Sequence, residues 1–196
     1  LIENGMVQPE DMPRFVGHIR AEAQRLVTLI GDIIRLSQLD EGEVLPKERF
    51  DLLEVAQSAA DDLRAEAEKK NVHLSVSGEP AELEGVRQLI YEVAYNLGDN
   101  AIKYNVDGGS VSINVSSDGK NAKLTVSDTG IGIAAEDQSR IFERFYRVDK
   151  SHSKESGGTG LGLSIVKHAV QYHGGRISMD SAPGKGTSIS VSLPIQ

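Results

Sequence analysis

The chain has 196 residues and a mass of 21.1 kDa, enough for one ordinary domain plus an appendage. It is 39% hydrophobic and 26% charged, with no cysteine, which points to a globular protein and excludes disulfides, Cys-ligated zinc, iron–sulfur clusters and thiol catalysis. Its 21 Lys+Arg against 29 Asp+Glu give a net charge of −8, the opposite of a nucleic-acid footprint, and no stretch approaches the roughly 18 apolar residues of a spanning helix, so no direct membrane contact is expected.

The opening at Leu1, without Met or a basic-then-apolar leader, reads as a piece of a longer chain. "LIENG" resembles the last turn of a helix stopped at Gly5, followed by a loop, "QPEDMP". From Phe15 the apolar positions Phe15, Ile19, Leu26, Leu29, Ile33 and Leu36 recur mostly in steps of four and three. Such a stripe needs a partner. A helix packed on its own domain would satisfy it; a hairpin that dimerises is preferred, with "LIENG" as the stump of the partner helix. Residues 1–45 are therefore read as a partial helical hairpin and 46–196 as a separate domain.

That domain begins with a short strand in "KERFDL", followed by a helix over Leu52–Lys70 and an alternating strand, "VHLSVS". A second helix covers Val86–Tyr104, although Gly98 sits inside it. Two alternating runs around Asp118-Gly119 form a hairpin. An irregular Gly- and Arg-rich stretch follows, with one short helix at Glu136–Arg144, and then a helix over Leu161–His173. Two strands joined at Pro183-Gly184 close the chain. Antiparallel runs with interspersed helices predict an α+β fold, a two-layer α/β sandwich with helices on one face of a mixed sheet.

The chemistry is concentrated in four places. On the helix 86–104, Glu92, Asn96, Asn100 and Lys103 follow at spacings of four, four and three and share one face. An amide oxygen is a neutral, hard ligand for Mg²⁺, Lys103 can place a charge on a phosphate, and Tyr104 can lay a ring edge beside a base; alone, the pattern reads equally as a solvated polar face. In "SDTGIGI", Asp128 can accept from an adenine amine while Gly130 and Gly132 let a flat ring approach backbone; an ordinary Asp-x-Gly turn has the same spelling. "GGTGLGL", residues 157–163, runs into an apolar helix, and its glycine amides suit an anion. It has neither the Lys-Ser/Thr of a Walker A loop nor the strand-first context of a dinucleotide fingerprint. Between these lies an aromatic and cationic segment, "IFERFYRVDKSHSKES". Irregular stretches of that length are usually binding loops or lids. Phe142, Phe145 and Tyr146 are expected to form a small core pinning it, and Arg140, Arg144, Arg147, Lys150 and Lys154 suggest a small anionic ligand.

"NLGDNAIKY", "DTGIGI", "IFERFYRVD" and "GTGLGL", in that order, resemble the N, G1, F and G2 boxes of bacterial sensor histidine kinases. "AEAQRLVTLIGDIIRLSQLDEGE" is similar to the second helix of their dimerisation hairpin, most like the PhoR-type class. The resemblance implies a Bergerat-type ATP site, shared with gyrase, Hsp90 and MutL, in which Mg²⁺ and ATP lie under a mobile lid. It makes Asn96 the Mg²⁺ ligand, Asn100 and Lys103 phosphate contacts, and Tyr104 a neighbour of the adenine. Asp128 would read the adenine amine with Thr187 assisting through water, above a floor of Gly130 and Gly132. Arg147 would reach the γ-phosphate, and Gly158, Gly160, Leu161 and Gly162 would shape the lid's end and the start of the phosphate-facing helix. It further implies a homodimer in the full-length protein, a response regulator receiver domain as partner, and a membrane-anchored parent with this portion in the cytoplasm.

None of His18, His73, His152, His168 and His173 has the neighbourhood of the family's phosphoacceptor, so autophosphorylation by this chain alone is not expected. His173-Gly174-Gly175 reads as a helix C-terminus with the imidazole near its negative end. Gly98 replaces a bulky apolar residue usual in the N box, at about 1 kcal/mol of helix propensity. A hydrolytic ATPase of the same superfamily is the alternative, with Glu92, four before Asn96, activating water.

Overall fold

The structure, a computed structural model, describes residues 8, 10–40, 44–148 and 159–195. "LIENG", Lys150, Lys154 and Gly158 lie outside the described residues. The elements run α1 (Met12–Asp40), β1 (Glu48–Asp51), α2 (Leu52–Lys69), β2 (His73–Gly78), β3 (Glu82–Gly85), α3 (Arg87–Lys103), β4 (Ser110–Ser117), β5 (Asn121–Asp128), α4 (Ala135–Gln138), α5 (Gly162–Tyr172), β6 (Arg176–Ser181) and β7 (Thr187–Pro194). Five strands form one sheet in the order β2-β4-β5-β7-β6, parallel between β2 and β4 and antiparallel elsewhere.

Alternation along the strands divides that sheet into two faces. Val111, Ile113 and Val115 of β4, Ala122, Leu124 and Val126 of β5, and Ile189, Val191 and Leu193 of β7 are buried in one core with the apolar faces of α2, α3 and α5. The other face is hydroxyl-rich: Thr125 pairs with Ser190 at 2.9 Å and Ser127 with Ser188 at 2.8 Å. The expected two-layer sandwich is what forms.

Three local features differ from the sequence-based expectation. A short strand, β3, pairs antiparallel with β1, from Glu48↔Gly85 to Asp51↔Glu82; four residues carry too little pattern to be read alone. Asp51 helps seat it, because its Oδ1 accepts from both Leu53 N at the start of α2 and Ala81 N just before β3, each at 2.9 Å. The helix expected at Glu136–Arg144 ends at Gln138. The chain there folds back because Tyr146 Oη donates to Asp137 at 2.5 Å and the Arg140 guanidinium stacks 4.2 Å above the Tyr146 ring. Gly98, finally, leaves no hole: a Cβ there would lie 2.6 Å from Cδ1 of Leu63, so a leucine from α2 fills the room a larger side chain would take on α3.

Among the described residues of α1, the apolar stripe is fully buried only near its C-terminal end, with Phe15 half-buried. Leu36, 3% exposed, packs with Leu161 and Ile165 of the α5 region, with Leu29 at the margin. Ile19, Leu26, Val27, Ile30, Ile33 and Ile34 stay between 46% and 63% exposed. Among the described residues no helix is long and apolar enough to cross a membrane.

Candidate functional site

The first wall of the site is α3. It buries Leu89, Ile90, Val93, Ala94, Leu97, Gly98, Ala101 and Ile102, which turns the next helical face, with Glu92, Asn96 and Asn100, to the edge of the core, where all three are half-buried. Asn96 Nδ2 donates to the Glu92 carbonyl at 2.8 Å. That fixes the amide's orientation, because a carbonyl takes only a donor, and leaves Oδ1 facing outward. What it faces is the start of α5: a Cβ on Gly162 would lie 2.7 Å from Asn96 Oδ1. Thus Asn96 and the G2 segment, 66 positions apart, meet directly. Asn100 makes no side-chain hydrogen bond among the described residues. Glu92 Oε1 accepts from Gln88 Nε2 at 3.2 Å.

Around the N-terminus of α5, Gly160 has φ +74, a backbone conformation open to glycine at little cost. Its carbonyl accepts from Phe145 N at 3.0 Å, which joins the F box to the G2 segment. Leu161 is fully buried in the small cluster against α1, so its side chain serves packing. Thr159 donates to Asp32 of α1 at 2.9 Å and accepts from Leu161 N at 3.3 Å.

Asp128, at the end of β5, lines a cavity with Ser181 and Thr187, close to the C-terminal end of α3, where Ile131 N donates to the Tyr104 carbonyl at 3.1 Å. Its Oδ1 accepts from Gly130 N at 2.8 Å and Thr187 N at 3.2 Å. Burial holds its carboxyl above the usual carboxylate range, outweighing those two hydrogen bonds, which act in the opposite direction. The glycines beside it answer to the protein's own backbone. A Cβ on Gly130 would stand 2.4 Å from the Tyr104 carbonyl oxygen, and one on Gly132, at φ +69, would stand 1.9 Å from that of Ala182. Ser181, which the sequence did not single out, is the hub of this end. Its hydroxyl accepts from Ile133 N, donates to the Gly186 carbonyl and meets Thr187 Oγ1 at 2.9 Å. Gln138 Nε2 donates to both the Ile133 and the Ser181 carbonyls, so the short α4 is tied to the same hub.

The cations sort themselves. Arg140 pairs with Glu143 at 3.8 Å and stacks on Tyr146, while Arg144 meets His168 Nε2 at 3.1 Å; both serve the local fold. Arg147 is the one whose charge is felt at Lys103, the last residue of α3. The Lys103 ammonium is shifted down by burial first; Asp99 opposes that shift, while Arg147, Lys70 and Arg25 add to it. Lys103 also lies 6.0 Å from the Tyr104 ring centroid. Asp99, another residue the sequence did not single out, is raised by burial against the fields of Lys103 and Lys70. The expected aromatic core is only partly made. Phe142 and Tyr146 are half-buried, but Phe145 is 59% exposed at φ 63, because its backbone is turned to reach Gly160.

The site therefore comprises a half-buried carboxylate at the end of β5, an amide oxygen facing the start of α5, and Lys103 within the field of Arg147. Among the described residues no group of three or more His, Cys, Asp and Glu side chains could hold a metal. Residues 85–196 match the family described as "Histidine kinase-, DNA gyrase B-, and HSP90-like ATPase". The chain is 38% identical over 188 residues to the sensor-like histidine kinase SenX3 of Mycolicibacterium smegmatis, covering 95% of this chain and 49% of that protein. It is 34% identical over 198 residues to the sensor histidine kinase WalK of Bacillus subtilis, covering 99% and 32%. It thus spans half or less of the length of these relatives. Among solved structures, the mycobacterial sensor histidine kinase MprB superposes with a TM-score of 0.66 at 30% identity, over 76% of this chain and 97% of that one. Four boxes in order, the geometry that brings them together, and a match over more than half the sequence agree: the chain belongs to the histidine kinase-, DNA gyrase B- and HSP90-like ATPase family.

Proposed function

We propose that this chain is the ATP-binding catalytic portion of a two-component sensor histidine kinase, which delivers the γ-phosphate of ATP to a histidine on a helix outside this sequence. The observation that carries the reading is the meeting of Asn96 Oδ1 with Gly162 at the α5 N-terminus, together with a half-buried Asp128 at the end of β5. Helix N-termini present free N–H groups and a positive dipole end to phosphates. Mg²⁺ fits this donor set: one neutral amide oxygen suits an ion that takes its other ligands from phosphates and water. When bound it would neutralise charge on the phosphates. Asn100, Lys103 and Arg147 would hold the phosphate end. Tyr104 would border the base, Asp128 would accept from the adenine amine with Thr187 assisting through water, and Gly130 and Gly132 would keep that pocket's backbone closely packed. Gly158, Gly160, Leu161 and Gly162 would contribute backbone at the phosphate side. Phosphoryl transfer asks mainly for positioning and charge neutralisation, which these groups supply.

Residues 1–45 would be part of the dimerisation hairpin, giving a homodimer in the full-length protein, and the exposed stripe of α1 supports this. The phosphate would pass to a receiver domain of a response regulator, and the portion would face the cytoplasm in a membrane-anchored parent. The hydrolytic alternative loses ground: Glu92 is engaged with Gln88, and the compared relatives are named as histidine kinases. Labelled ATP is mixed with this chain, with and without a separate protein bearing the phosphoacceptor helix. Label on the added histidine is the expected result; free phosphate alone would mark a hydrolase.

A further inference from the structure

We infer that His173 is a positioning residue for α3, and that with Tyr172 it forms a joint connecting the α1–β1 linker to the helix that carries Asn96 and Asn100. Its functional weight rests on the proposed role of α3 in nucleotide binding. Helix α3 starts without a side-chain cap of its own: the N-cap is Val86, at φ −86 and ψ 96. In a capping box the residue three positions on would reach back to the N-cap N–H, but here that residue is Leu89. The orphan Val86 N–H instead donates to His173 Nε2 at 2.9 Å, supplied across the fold by the C-cap of α5.

The ring is held so that it can do only this. Nδ1 lies 2.7 Å from the Ala169 carbonyl, which accepts and cannot donate, so Nδ1 carries the hydrogen. A neutral imidazole then has Nε2 as its acceptor, and that is the atom Val86 reaches. An imidazolium would set two donors against each other. His173 is 9% exposed, and burial first, then the Lys47 ammonium in the linker, push it toward the neutral form against the Ala169 hydrogen bond. The seat is close-fitting, since a Cβ on Gly85 would lie 2.8 Å from Cδ2 and Nε2 of the ring.

Tyr172 carries the contact onward. Its ring meets the imidazole edge-on, with centroids 5.4 Å apart, and its hydroxyl accepts from Leu45 N at 2.9 Å. One run of contacts therefore leads from the linker to the first turn of α3. Asn96 is ten residues further along, about 15 Å of helix at the usual rise. A helix moves as a stiff body over that span, so a displaced first turn displaces Asn96.

The test uses the full chain. In the wild type, ¹⁵N NMR is expected to show His173 protonated on Nδ1 and unprotonated on Nε2, resisting protonation to a pH below the ordinary histidine value. H173Q places an amide where Nε2 lay, and H173N one where Nδ1 lay. H173Q should keep the slow exchange of the Val86 amide and bind Mg²⁺ with a nonhydrolysable ATP analogue within about twofold of wild type. H173N should lose about tenfold in each measurement. Y172F should speed exchange at Leu45 and leave Val86 protected. An Nε2–H tautomer in the wild type would overturn the joint, as would equal Val86 protection in H173N and H173Q. If no variant, nor the wild type, binds nucleotide, the proposed function fails, while the imidazole and Val86 measurements still decide the joint.

Discussion

Replacing Gly162 by alanine separates the fold from the site. The added Cβ would stand 2.7 Å from Asn96 Oδ1, closer than carbon and oxygen tolerate, so one of them must move. The backbone of α5 is held by the buried Leu161, Ile165 and Val166, whereas Asn96 Oδ1 is the end of a rotatable side chain. The oxygen is therefore what yields, and turning it away breaks the 2.8 Å bond from Asn96 Nδ2 to the Glu92 carbonyl. That loss is worth about 1 kcal/mol, and alanine in a helix returns up to about 1 kcal/mol over glycine. Denaturation should then place the variant within about 1 kcal/mol of wild type. The Mg²⁺-dependent affinity for an ATP analogue, by calorimetry, should fall about tenfold, a cost of about 1.4 kcal/mol, with a smaller change when Mg²⁺ is absent. Unchanged Mg²⁺-dependent binding in a folded variant would refute the assignment of the Asn96 oxygen to the metal.

Asp128→Asn should bind nucleotide about tenfold to a hundredfold more weakly. The Gly130 and Thr187 N–H groups donate and so hold the amide oxygen of Asn, which leaves the NH₂ facing the pocket, where it meets the adenine amine donor to donor. The same variant should be as stable as wild type or more so, because the raised carboxyl pKa means that the charged form costs stability above it; a clear loss of stability would contradict this. Wild-type affinity should fall with acid in a range above the ordinary Asp value of about 3.9, a step D128N should lack. Gly98→Ala should destabilise by about 1 kcal/mol despite its helix propensity, since its Cβ would meet the fully buried Leu63 at 2.6 Å; a more stable variant would show that Leu63 can move. Leu36→Ala should loosen α1 from α5 by about 2–3 kcal/mol, read as faster amide exchange near the end of α1 with little change in the sheet; unchanged exchange would show that this cluster does not hold α1.

Much of the architecture was legible because it is local. Period-two runs around Asp118-Gly119 and helical spacing over 52–70 and 86–104 announce their elements within a dozen residues, and the sheet's apolar face follows from the alternation. The order of the boxes was legible for the same reason, since each is a contiguous string. What escaped was short or conditional. Strand β3 exists because β1 lies beside it and Asp51 bridges to its approach, and α4 stops early because Tyr146 folds back onto Asp137. The arginines of the F box look alike in sequence, and only their neighbours divide them into Arg140 and Arg144, spent locally, and Arg147, felt at Lys103.

By itself, then, the amino-acid order determined the succession of helices and strands, the family, and the amide, carboxylate and glycines available for chemistry, because propensity and spacing act along the chain. Tertiary structure alone decided that Asn96 faces Gly162, that Leu63 occupies the space beside Gly98, and that His173 is a neutral acceptor rather than a charge at a helix end. Each of these depends on an atom supplied from far away in sequence, and no local pattern encodes which distant group will arrive.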